Sequence, residues 1–160
     1  MKTNAQLIEE ITAAISPMRL HRFPFIVALD PEGRALMTRD MELIRRIFAE
    51  IQSRDDVGPR RLEIPGVDEA IVARHLEMLL AEGLIEGEKF DPLGQLFPII
   101  SVKDLSWRGH DFAAALTNDS VWAQIKKTFS ASDLKTLPLA VFKEVSIGLL
   151  TQWAKAKAGL

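Results

Sequence analysis

Apolar residues recur at intervals of three and four after Met37, where Met41, Ile44, Ile47, Phe48 and Ile51 share one side of a helical turn. That spacing predicts a helix capped by Thr38 or Asp40 and stopped by Gly58-Pro59. Residues 61–64 read as a short strand closed by Pro65-Gly66. Asp68 then opens a second helix in which Val72, Leu76, Leu79 and Leu80 repeat at helical spacing, and Gly83 supplies the left-handed residue that ends it. Two β segments, residues 84–86 and 97–102, flank a polar, turn-rich stretch with Pro92 and Gly94. Three more helices are predicted, at about residues 106–116, 119–129 and 139–157.

The first 36 residues are patterned differently. Residues 6–15 predict one short helix with Leu7, Ile8, Ile11 and Ile15 on one side, ended by Pro17. Residues 22–35 read as a strand, an Asp30-Pro31-Glu32-Gly33 turn and a stub that can pair back as a hairpin. The chain thus divides into an N-terminal extension, residues 1–36, and a domain, residues 37–160, whose part from about residue 105 is a helical extension. Met37 or Met41 can serve as an alternative start. The fold class is mainly α with a small β-hairpin. The order helix, short strand, helix, hairpin predicts a winged helix-turn-helix core followed by C-terminal helices.

Composition acts by exclusion. Of 160 residues 48% are hydrophobic and 26% charged, an ordinary globular balance that argues against a disordered chain. No cysteine is present, which removes disulfides, thiol catalysis and cysteine-ligated metal. The longest uncharged apolar run is far shorter than a membrane span needs, and Glu9 and Glu10 interrupt what would be a signal segment. A soluble, cytoplasmic protein is expected. His21, His75 and His110 show no helical metal-pair spacing. Ser106, His110 and Asp111 do not make a triad, because Ser106 suits a helix cap and adjacent His110 and Asp111 point apart. His75 is expected to border the core or to hydrogen-bond across to the first helix. No catalytic residue, cofactor or metal ligand is assigned, and a non-enzymatic protein is expected.

The run Ala73-Arg-His-Leu-Glu-Met-Leu-Leu-Ala-Glu-Gly-Leu-Ile85 resembles the recognition helix of bacterial winged-helix regulators, with its Gly turn leading into the wing. Leu105-Ser-Trp-Arg-Gly-His-Asp-Phe112 resembles the segment that follows the wing in such proteins. Together with Arg39-Asp-Met-Glu-Leu-Ile-Arg-Arg-Ile47, Asp119-Ser-Val-Trp122 and the Leu137-Pro138 before the last helix, these segments resemble the domain-of-unknown-function family 2513, small bacterial and prophage proteins. The likeness covers about three quarters of the chain, and residues 1–36 depart from it. It implies a winged-helix-like fold and carries no activity.

On that shape the chain is expected to be a DNA-binding protein, a prophage or bacterial transcription regulator contacting double-stranded DNA through Arg45, Arg46, Arg60, Arg61, Arg74 and Lys89. Charge opposes part of this. From Asp68 to Glu82 four carboxylates face one cation, Arg74. The alternative is a protein–protein interaction module of phage origin that engages a host or phage protein through its acidic helix. Trp107, Trp122 and Trp153 are expected in the core. Apolar residues spread over more than one face of the last helix predict a homodimer through residues 139–157, with Phe142, Leu149, Leu150 and Trp153 at the interface.

Overall fold

Of the two candidate caps, Asp40 is the one used. Its carboxylate accepts from the N–H groups of Glu42 and Leu43 at 2.9 and 3.1 Å, starting α1 (Met41–Ser53). The computed structural model describes residues 38–160, so the helix expected at residues 6–15 and the hairpin expected at residues 22–35 lie outside the described residues. β1 is only Arg60–Arg61, since Leu62 and Ile64 turn into the core instead of extending the ladder. Asp68 caps α2 (Glu69–Ala81). The far end of α2 closes with Gly83 at φ +66°, its N–H bonded to Leu80 and that of Leu84 to Leu79. These bonds satisfy carbonyls of the last turn, and Leu79 and Leu84 are both buried in the core.

β2 (Ile85–Phe90) and β3 (Ile99–Leu105) form an antiparallel hairpin, and β1 adds to the other edge of β3, giving the order β1-β3-β2. A bulge interrupts the register at Glu86/Gly87. Four helices follow: α3 (Trp107–Thr117), α4 (Asp119–Thr128), α5 (Ala131–Thr136) and α6 (Leu139–Lys157). Asn118 ends α3 and caps α4. The short α5 has no buried residue and so no apolar period to betray it; its signal is the reciprocal Ser130/Asp133 capping box. The described chain is therefore mainly helical, with a small three-stranded antiparallel sheet.

One apolar cluster holds these elements together. Edge-on aromatic contacts link Phe48 of α1 to Phe112 of α3 (5.5 Å between centroids) and Phe112 to Phe142 of α6 (6.1 Å). Phe142 is 0% exposed, so it belongs to the chain's own core and is not available to an interface, which corrects its assignment to a dimer contact. Only Trp122 of the three tryptophans is buried. Trp107, 86% exposed, is the first residue of α3, whose inward face is taken by Gly109 and Phe112. Trp153 lies among the last turns of α6, where every residue from Thr151 on is exposed. Among the described residues no helix is long and apolar enough to cross a membrane.

Candidate interaction surface

The outward side of α2 carries Arg74 and Glu77, and β2 runs beside it. One carboxylate takes both nearby cations: Glu77 accepts from Lys89 Nζ at 2.7 Å and from Arg74 Nη1 at 2.8 Å. The bond from Lys89, then that from Arg74, holds the Glu77 carboxyl below the usual carboxylate range. Lys89 also lies 3.5 Å from Asp91. The other predicted phosphate contacts are likewise engaged. Arg60 pairs with Asp56 at 2.7 Å, Arg61 pairs with Glu69, and Arg46 Nη2 donates to the Pro65 carbonyl at 2.7 Å. Arg45 faces the C-terminal helices, donating to the Leu116 carbonyl at 2.9 Å and to Asp119 at 2.7 Å beneath the Trp122 ring.

The structure thus brings Arg74 and Lys89 together at Glu77 and sets Arg45 apart from them. These are not equivalent bonds. Arg60, Arg61 and Arg74 are more than half exposed, and pairs of that kind contribute about 0–1 kcal/mol each, so a polyanion could displace them. Arg45 is three-quarters covered and holds a backbone carbonyl, a structural use. Arg54, in the same stretch of chain, is nearly buried and ties the loop after α1 to the Gly58 and Val102 carbonyls and to Asp56.

Beyond the acidic side of α2, the hairpin tip exposes Phe90 by half and Leu93 and Leu96 completely. The sequence reading missed these, because the tip reads as a polar turn; two leucines without a periodic partner were the available signal. The base of the hairpin is fixed. Ser106 accepts from the Gly109 N–H to cap α3, its hydroxyl donates to the Gly83 carbonyl at 2.6 Å, and its N–H donates to Leu84. A Cβ on Gly109 would collide with the Leu84 carbonyl, which explains the glycine in that segment. His75 is buried and bonded across to α1 as expected: its Nε2 accepts from the Asp40 N–H at 2.9 Å. Burial lowers its pKa below 6.5. Among the described residues no group of three or more His, Asp or Glu could hold a metal ion.

No solved structure matches the chain. An uncharacterized protein of Haemophilus influenzae (strain ATCC 51907 / DSM 11121 / KW20 / Rd) is 30% identical over 118 residues, 72% of this chain and 98% of that protein. Residues 38–135 match the family described as "Hypothetical protein (DUF2513)". Of the segments that suggested this family, those from Arg39-Asp40-Met41 through Trp122 lie within the matched residues and Leu137-Pro138 lies just beyond them; the chain belongs to the DUF2513 family.

Proposed function

We propose that residues 38–105 are a winged-helix core used to recognise a protein, with α2 as the recognition helix and the β2–β3 hairpin as the wing. The observation that carries this reading is Glu77 holding both Arg74 and Lys89, beside a wing tip that presents leucine where a phosphate-reading wing would present cations. Residues 38–105 hold nine cations against fourteen carboxylates. A partner with a basic, apolar surface fits this face; a polyanion does not.

The test is duplex binding by the intact chain and by Glu77→Gln. Unsubstituted protein should leave a random duplex unshifted at ~50 mM salt, and Glu77→Gln, which frees two cations, should gain weak binding that disappears by ~200 mM. A photo-crosslinker placed at Leu93 should give a discrete protein adduct in cells. Binding by the unsubstituted chain that is lost in Arg74→Gln/Lys89→Gln would sink the reading.

A second reading, a DNA-binding regulator, is favoured by the C-terminal helices. Residues 106–160 carry seven cations against four carboxylates, and none of their six lysines is ion-paired within residues 38–160. Under it the duplex contacts move from α2 to α4–α6. Four such contacts would weaken binding roughly a hundredfold between ~50 and ~200 mM salt. Loss of duplex binding in Lys127→Gln/Lys143→Gln, with Arg74→Gln/Lys89→Gln unaffected, distinguishes it.

A further inference from the structure

Segments distant in sequence meet beside the start of α1 and enclose a cleft of about 230 Å³. Its walls are apolar, formed by Met41, the Trp122 indole and Leu134, and its edge is cationic, formed by Arg39, Lys126 and Lys135. Asp40 and Glu42 also border it, and both are occupied: Asp40 caps α1, and Glu42 meets Arg45 Nη1 at 3.4 Å. Lys126 Nζ stands 5.9 Å over the Trp122 ring, and neither it nor Lys135 is ion-paired within residues 38–160.

Two of these residues also hold buried donors that reach no acceptor, Arg39 Nε and the Trp122 indole N–H, although Arg39 Nη2 donates to the Leu137 carbonyl. Trp122 is 4% exposed. Unmet buried donors are destabilising and rare, and both of these belong to residues that line the one cleft. The Arg39 charge is itself partly desolvated, which lowers its pKa.

We propose that this cleft binds a small amphiphilic carboxylate, its apolar body against Met41, Trp122 and Leu134 and its two oxygens accepting from Arg39 Nε and the Trp122 indole N–H. Lys126 and Lys135 supply further charge. Two oxygens suit two donors, and apolar walls favour a monoanion with a hydrocarbon body over a heavily hydrated phosphate. The site lies on α1, α4 and α5 and does not depend on what the wing recognises.

The probe is 3-phenylpropionate, titrated into the full chain while the Trp122 indole N–H is followed by proton–nitrogen correlation spectra. Trp107→Phe and Trp153→Phe, both at exposed positions, identify the resonance by elimination. The Trp122 proton should move downfield and saturate with a Kd near ~1 mM, whereas 3-phenylpropanol, acetate and inorganic phosphate leave it in place. Lys126→Gln/Lys135→Gln, which removes no buried contact, should weaken binding about three- to tenfold. No saturable movement by ~20 mM, an equal response to the alcohol, a response to phosphate but not to phenylpropionate, or unchanged affinity in the lysine variant would each overturn the proposal.

Discussion

Acidification should loosen the junction between α1 and α2 through one residue, His75. In its neutral form, with the proton on Nδ1, His75 donates to the Ile71 carbonyl at 2.8 Å and accepts from the Asp40 N–H at 2.9 Å. A second proton would turn Nε2 into a donor facing a donor. Burial opposes that proton most, and the charges of Arg39 and Arg74 add to the opposition; the Ile71 carbonyl and the Asp40 carboxylate favour it, but the folded pKa still falls below 6.5. The unfolded chain therefore binds more protons in mild acid. The resulting stability is fully present above about pH 6.5, is lost as pH falls below it, and levels off once pH passes the folded value. The steepest slope is about 1.4 kcal/mol per pH unit, so moving from pH 7.5 to 5.5 removes at most ~1.4 kcal/mol, roughly 3–6 °C in melting temperature.

Urea unfolding of the unsubstituted chain and of His75→Phe at both pH values measures this. The variant strands the Asp40 N–H and should lose about 1–3 kcal/mol at pH 7.5. Its further loss on acidification should be smaller than that of the unsubstituted chain by nearly the whole His75 contribution. Groups common to the two proteins cancel in the difference. Equal losses in the two proteins, or a ring pKa at or above 6.5 by NMR, would refute the reasoning.

Gly109→Ala should prevent folding or reduce stability by more than the roughly 1–3 kcal/mol usual for overpacking, because the obstacle is the Leu84 backbone; circular dichroism and urea curves decide. Trp107→Ser should change stability by less than about 0.5 kcal/mol, while Trp122→Ala should cost about 3–5 kcal/mol in the same measurement. Phe142→Ala should likewise cost about 3–5 kcal/mol within the folded chain. Leu150→Ser/Trp153→Ser should instead shift a dimer to monomer at ~50 μM by sedimentation, and a strict monomer in the unsubstituted chain would dismiss the α6 interface.

The part of the fold that is legible in the sequence is local. Asp68, Gly83 and Ser106 work within a few residues of their own positions, so cap and turn chemistry names them from spacing alone. The choice between Thr38 and Asp40 was settled by which side chain reaches the first-turn N–H groups, and by His75 fixing Asp40 from another helix. The sequence overstates the strand at residues 61–64, because alternating buried leucine and isoleucine look the same in a ladder and in an irregular segment. Charge pairing was the least legible. Glu77 and Lys89 belong to different elements, and Arg45 and Asp119 lie 74 residues apart, so sequence pattern alone shows these two cations as free when each has a partner. The Arg39–Trp122 cleft was invisible for the same reason, though both of its buried donors lie in segments that carried the family resemblance.

The bonds at Ser106 make the hairpin a cantilever. Its root is clamped where the last turn of α2, the end of β3 and the first turn of α3 share one hydroxyl, and its load would fall on Leu93 and Leu96 at the free end. A partner gripping that end meets tip residues whose root is already ordered, and a force it applies reaches both helices at once through the joint at Ser106 and the Lys89–Glu77 bond.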